Sequence, residues 1–300
     1  MPSRVLVTGG GGQVGRFIVE ALLASGHEVT VAGRAPPGRD IFVHRVDFLP
    51  FSLEPETIRP EALRGYDALV HAAFHHAPGR YRGGEGDDPA TFRRLNLDGS
   101  VVLFETARAA GVRRCVFMSS RAVYGRQAPG ALLTEETPCH PDTLYGEVKL
   151  AAEQALTALA APGFVAASLR VTGVYGEGIG KWSALFDDFL AGIPVEPRIG
   201  TEVHGRDLAA ATRLVLESDP ALVRGKTFNV SDILLERRDL LALVDEIAGT
   251  CHVLPNRSDA AAFNEMATDR LRALGWRPGG RDLLRRTVEE LIASRLPRSG

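Results

Sequence analysis

Cysteine is scarce in this chain. Only Cys115, Cys139 and Cys251 occur among 300 residues, far apart and odd in number. Such spacing argues against a disulfide framework and offers no cysteine metal site. The eight histidines add no ligand spacing, since His75 and His76 are adjacent rather than one helical turn apart, and no metal is expected. A reducing compartment fits this usage, and the cytoplasm is the expected location. Long apolar runs are missing too, so no segment reads as a membrane span. The N-terminus enters an apolar strand at once, where a leader would show a basic region first. Neither sign of charge dominates: 35 Lys and Arg stand against 37 Asp and Glu, a formal net charge of -2. That balance gives no global pull toward nucleic acid or an anionic membrane. What the chain does have is 45% hydrophobic content, enough for one large or two modest cores.

The apolar segments alternate in type. "RVLVTG" reads as a buried strand ended by glycine, and "QVGRFIVEALLASG" as a helix with Val14, Phe17, Ile18, Ala21 and Leu22 on one face. "HEVTVAGR", "FVHRVDF", "ALVHAAF" and "RCVFMSS" follow as strands, with a helix at "VVLFETARAAGV". "LYGEVKLAAEQALTALA" is a long helix, and "FVAASLRVTGVYG" a further strand and turn. This order predicts an α/β fold, a Rossmann-type doubly wound parallel sheet. Residues 1–170 are expected to form a dinucleotide-binding domain. Residues 171–300 are expected to form mainly a smaller substrate-binding lobe, partly interleaved with the sheet. Its elements are the helices in "WSALFDDFLAGIPV", "GRDLAAATRLVLES", "ERRDLLALVDEIAG" and "RDLLRRTVEELIASRL", and the strand in "KTFNVS". The polar, glycine-rich loop around residues 75–89 is either a mobile surface loop or a lid.

"TGGGGQVG", Thr8 to Gly15, follows a strand and opens a helix. Gly9, Gly12 and Gly15 carry the spacing that turns the chain, lets its backbone approach a pyrophosphate and packs the helix on the sheet. The helix start, including Gln13 and Val14, then offers free N–H groups to the anion. The loop lacks the Lys-Ser/Thr ending of a nucleotide hydrolase. The second strand ends in "VAGR", without the acid that would bind both ribose hydroxyls of NAD. Arg34 stands there and suits a 2'-phosphate, so NADP is favoured slightly over NAD.

In "YGEVK", Tyr145 and Lys149 lie four residues apart and can share a helix face. An ammonium beside a phenol stabilises its phenolate, which makes Tyr145 a candidate acid–base group. Ser119 and Ser120 end a strand, where open parallel sheets bind ligands. A hydroxyl there can hold a substrate oxygen or the cofactor, or simply cap a turn.

The motifs "TGGGGQVG", "HAA", "SSRAVYG", "YGEVK", "LRVTGVYG", "TFNVS" and "LRALGWRP" together resemble the extended short-chain dehydrogenase/reductase family, including nucleotide-sugar epimerases and dehydratases, over nearly the full chain. The resemblance implies Ser120, Tyr145 and Lys149 as the catalytic set. It implies a cofactor lined by Gly9, Gly12, Gly15, His71, Ala72, Ala73 and Ser119, with Asp47 and its neighbour Phe48 near the adenine. Asn96 would brace the site, and Val171 to Val174 would meet the nicotinamide. A homodimer formed through two helices is a further family expectation. Three positions depart from the pattern. Arg121 and Ala122 stand where dehydratases carry an Asp-Glu pair, which argues against dehydration. Gly173 replaces a frequent Asn, and "GRD" at Gly205 to Asp207 replaces the usual "vDD". Arg121, Gly173 and His204 are candidate substrate contacts. The first functional reading is an NAD(P)-dependent oxidoreductase acting on a secondary hydroxyl or ketone of a sugar-like substrate. A sugar epimerase needs the same set, and a catalytically silent dinucleotide-binding regulator is the third reading.

Overall fold

Residues 3–38, 41–76 and 86–295 are described by the computed structural model. Ten strands occur among them: β1 (Arg4–Thr8), β2 (Glu28–Gly33), β3 (Asp47–Pro50), β4 (Ala68–His71), β5 (Arg114–Ser120), β6 (Val165–Val171), β7 (Gly173–Tyr175), β8 (Ile199–His204), β9 (Lys226–Val230) and β10 (Ile233–Glu236). Seven form one sheet in the order β3-β2-β1-β4-β5-β6-β9. Every pairing in it is parallel. The strand order reverses between β1 and β4, so the C-terminal ends of those two strands open the crevice where such sheets hold ligands.

The central strands are apolar on both faces because helices cover both. Val5 and Val7 point to one side with Ile18 and Leu22 of the Gly15–Ala24 helix and Leu208 and Val215 of the Gly205–Glu217 helix. Leu6 points to the other, with Leu103 and Phe104 of the Gly99–Ala109 helix and Leu156 of the Leu144–Ala158 helix. Each fully buried side chain of this kind contributes about 1.5–3 kcal/mol. A third cluster joins the Ser183–Leu190, Arg237–Ala248 and Gly280–Ala293 helices through Phe186, Leu241 and Val288. The late strand β9 returns to the main sheet beside β6.

Two expectations shift. The strand expected in "FVHRVDF" begins only at Asp47, because the stretch that pairs with β2 is the following "DFLP". The strand expected in "FVAASLRVTGVYG" ends at Val171, but the turn expected after it is a break at Thr172 followed by a further strand; Thr172 Oγ1 donates to the Thr201 carbonyl at 2.7 Å and meets Thr201 Oγ1 at 2.5 Å. That break sends β7 into a second sheet, ordered β10-β8-β7, which the sequence reading did not foresee. Of the loop around 75–89, residues 77–85 lie outside the described residues. No helix among the described residues is long and apolar enough to cross a membrane.

Candidate active site

The glycine turn leaves β1 with Gly9 at φ 71°, a left-handed conformation that suits glycine. A Cβ on Gly9 would lie 2.7 Å from the Ala73 nitrogen and 2.8 Å from the Ala72 carbonyl carbon, at the end of β4. One on Gly15 would lie 2.1 Å from the Gly9 carbonyl oxygen. Gly12 is different: its N–H donates to Gly9 O at 2.9 Å, it is exposed, and a Cβ there would meet only that oxygen, at 3.1 Å. The turn is thus pressed against β4 on its inner side and open on the outer side, with the helix N-terminus facing the opening. Gln13 reaches across it to donate to Ile179 O at 2.8 Å. Gly9→Ala is expected to cost about 1–3 kcal/mol through backbone strain alone, with clash adding to it. A fall in melting temperature together with at least about tenfold weaker NAD+ binding would bear this out; wild-type values in both would refute it.

His71 ends β4 beside this turn, but its ring faces the core. Ser100 Oγ donates to Asn96 O at 2.6 Å, so it accepts from His71 Nε2 at 2.9 Å. Nδ1 is then the acceptor for the Thr8 hydroxyl at 2.7 Å. Burial, helped by the charge of Lys149, holds this imidazole neutral, down to about 3. Only its backbone, with that of Ala72 and Ala73, borders the crevice. Asn96 sits in a π-helical turn, Arg94–Asp98. Its amide accepts the His75 N–H at 2.6 Å and donates to His75 O and Phe92 O, both at 3.0 Å. It clamps the segment leaving β4, and π-turns of this sort recur at functional sites.

Ser119 and Ser120 end β5 next to Arg170 and Val171 of β6. Ser119 Oγ is buried without a hydrogen-bond partner, and such an orphan asks for a ligand or water. Ser120 Oγ accepts the Ala122 N–H at 3.2 Å, which leaves its own O–H to donate to the Tyr145 phenol. The Thr143 hydroxyl caps the Leu144–Ala158 helix, accepting from Gly146 N at 3.1 Å. Gly146 lets the helix close on the Ser120 turn: a Cβ there would be 2.6 Å from Ala122 O. Tyr145 packs edge-on against Phe74 at 5.1 Å and under His76 at 6.4 Å. Burial raises its pKa and the Ser120 hydrogen bond opposes that. Lys149 lies one turn on, 4% exposed, donating to Met118 O at 2.7 Å and standing over the Phe74 and Phe117 rings at 4.2 and 4.7 Å. Burial pulls it down to about 7, against the attraction of Glu153.

Glu153 and Arg170 were not singled out from the sequence. They form a buried pair, with Arg170 Nη2 2.9 Å from Glu153 Oε2, and the guanidinium lies 4.9 Å over the Tyr124 ring. The clue was a charge at an inward position in each of two apolar segments, "AAEQA" and "SLRV".

Other sequence candidates are moved by the structure. Asp47 opens β3 opposite Thr30, and Phe48 pairs with Val31. Both lie below the ligand-bearing edge, which is reached instead by Phe51, whose N–H donates to Gly33 O at 2.8 Å, and Ser52 after it. A cavity of about 350 Å³ opens at that edge, lined by Arg34, Phe51, Ser52 and Arg59 among others. Val174 belongs to the second sheet, opposite Val203, and packs on the core. His204 has no exposed surface: Nδ1 caps the Gly205–Glu217 helix by accepting from Arg206 N at 3.0 Å. Its ring packs against Phe17 and Tyr175, and burial lowers it to about 4. It caps that helix and packs in the core, with its Nε2 buried and lacking a hydrogen-bond partner. Gly173 makes room for an ion pair, since a Cβ would lie 2.5 Å from Lys181 Nζ and 2.6 Å from Glu202 Oε2.

A doubly wound sheet, a glycine turn over a helix start, and a Ser-Tyr-Lys constellation at the ends of β5 and the next helix define a hydride-transfer enzyme built on a dinucleotide. The chain belongs to the NAD dependent epimerase/dehydratase family, whose pattern it matches over residues 5–231, and is an enzyme of the short-chain dehydrogenase/reductase type. It is 29% identical to a UDP-glucose 4-epimerase of Corynebacterium glutamicum over 96% of its own length and 94% of the relative's. A UDP-glucose 4-epimerase of Streptomyces lividans is 32% identical over 60% of this chain and 55% of the relative. Among solved structures, the UDP-glucose 4-epimerase of Thermus thermophilus in complex with NAD superposes with a TM-score of 0.78 at 29% identity, covering 98% of this chain and 100% of that one. DesIV, a dTDP-glucose 4,6-dehydratase of Streptomyces venezuelae solved with NAD, gives 0.79 at 25% identity, over 97% of this chain and 98% of its own.

Proposed function

We propose that this chain is a sugar epimerase that inverts a secondary carbinol by oxidising it and reducing it from the other face. The observation that carries the reading is the Tyr145 phenol held by Ser120 one helical turn from a buried Lys149. The nicotinamide, when bound, supplies the hydride chemistry. The open glycine turn and the start of its helix suit the pyrophosphate, and the unpartnered Ser119 hydroxyl suits a polar group at the reactive end. Tyr145 takes the hydroxyl proton of the substrate and later returns it. Lys149, in its protonated form, lowers the cost of the phenolate. When substrate is bound, the Ser120 O–H turns from the Tyr145 phenol to the substrate oxygen and donates to it as charge develops there. The same three groups serve both half-reactions. The full-length likeness to a UDP-glucose 4-epimerase supports epimerisation. Dehydration would need an acid and a base beside Ser120, and Arg121 and Ala122 provide neither.

Net oxidoreduction is the second reading, and Arg34 favours it. It is exposed at the end of β2, where NAD-binding sheets place an acid. A cation there suits the 2'-phosphate of NADP, a cofactor that commonly exchanges between turnovers. The test is to incubate the protein with UDP-glucose and either NAD+ or NADP+, following the C4 epimer by NMR and absorbance at the reduced-nicotinamide band. The expected result is epimer with no net absorbance change. Stoichiometric reduced cofactor would select the second reading, and cofactor binding without any turnover of this or other sugars would select a silent binding protein.

A further inference from the structure

Arg121 follows Ser120 directly and opens the short 3-10 turn Arg121–Tyr124. This turn is pressed against the Tyr145 helix through the Ala122–Gly146 contact. The Arg121 side chain leaves toward the C-terminal lobe. Its Nη2 donates to Asn264 O at 2.7 Å, and its guanidinium carbon lies 4.9 Å from the Phe263 ring centre. The Asn264 side chain is anchored in turn, donating to Ala128 O at 2.6 Å and Ala131 O at 3.0 Å. The guanidinium is therefore held in one place against the Phe263–Asn264 segment.

Its charge is unmatched. No carboxylate among the described residues pairs with it, and its Nε is buried with no hydrogen-bond partner. Other cations of the chain contrast with it: Arg170 is paired with Glu153, Lys181 with Glu202 and Arg206 with Glu177. Guanidinium stays ionised even when partly buried, and its planar fork suits a carboxylate. A half-buried charge without a counter-ion is costly unless a ligand supplies one.

We propose that Arg121 is the anion-recognising residue of the substrate pocket, and that the sugar it accepts carries a carboxylate on the ring near the reacting carbon. This rests on the hydride-transfer reading above and names its substrate class. Arg121 is the residue after Ser120, which touches the Tyr145 hydroxyl, so on this proposal the carboxylate sits on the ring that reacts.

The test uses two pairs of probes that differ by that carboxylate: UDP-glucuronate with UDP-glucose, and glucuronate with glucose. Calorimetric titration is done on the full chain saturated with NAD+, carrying Tyr145→Phe so that binding is read without turnover. The acidic member of each pair is expected to bind at least about tenfold more tightly, an advantage that charge-assisted hydrogen bonds commonly supply. Adding Arg121→Met is expected to remove that preference, and Arg121→Lys to keep part of it. No preference for the acidic member of either pair overturns the proposal. So does an equal loss for acidic and neutral probes, which marks a merely structural arginine. A loss for both UDP-sugars and neither free sugar also overturns it, placing the diphosphate at Arg121. Wild-type turnover of the same probes is read separately. An Arg121-dependent preference without epimer or reduced cofactor would sink the hydride-transfer reading and leave the anion site standing.

Discussion

Tyr145→Phe is expected to lower turnover by about 10²–10⁴-fold, the usual range for loss of a positioned acid–base group, while the melting temperature moves by no more than about 3 °C. The asymmetry follows from what the side chain touches. Its ring is held by Phe74 and His76, contacts that phenylalanine keeps. Its hydroxyl meets Ser120, and Ser120 retains its bond from Ala122 N after the change. What disappears is the one oxygen able to exchange a proton with a substrate hydroxyl while Lys149 steadies the charge. Loss of a single hydrogen bond costs about 0.5–1.5 kcal/mol, small beside the barrier effect. Turnover measured with any probe that the wild type converts, beside a melting curve, separates the two quantities. Unchanged turnover would remove Tyr145 from the chemistry. A collapse of the fold would make its role structural.

Legibility followed the range of the interactions involved. The glycine turn could be read from eight residues because its demands are local: a left-handed Gly9 and a close approach at Gly15. Tyr145 and Lys149 were legible because four residues make one helical turn. His71 was recognisable as a site-lining residue, yet its ring direction depends on Thr8 and Ser100, which belong to a neighbouring strand and a helix. Asp47 stands off the C-terminal edge of the sheet for a related reason. Apolar residues flank it on both sides, and a strand's register is set by its partner. Only pairing with β2 shows that the ligand edge comes four residues later, at Phe51. The strands β8 and β10 are short and carry mixed polarity, so no periodicity announced them. The Arg121 contact with Phe263 and Asn264 joins residues more than a hundred positions apart, and nothing in either segment signals the other.

Lys149→Met should abolish most activity and at the same time make the cofactor-free protein more stable. Lys149 is almost wholly buried, and burial is the leading reason it titrates near 7 rather than at its usual 10.5. Glu153, one turn on, draws it back up only partly, because that carboxylate is already committed to Arg170. Each unit of such a shift is about 1.4 kcal/mol, so holding a lysine here costs several kcal/mol near neutrality. Methionine fills a similar volume without that charge. It forfeits the bond to Met118 O, worth about 1–3 kcal/mol when an acceptor is left bare, and the ammonium–ring contacts, about 0.5–2 kcal/mol. The net expectation is a gain of up to about 3 kcal/mol at pH 7 from the difference of these terms. The sign with pH is fixed by linkage. Between about 7 and 10.5 the unfolded chain holds a proton that the native lysine has shed, so wild-type stability rises as pH rises through that window. The slope from this group reaches at most about 1.4 kcal/mol per pH unit, and it disappears in the variant. Denaturant unfolding of both proteins from pH 7 to pH 9 should show two lines that converge as pH rises. Parallel lines would mean that Lys149 carries its charge without penalty in the folded protein, and the account of Lys149 as a strained group kept for the stabilisation of a phenolate would fail with it.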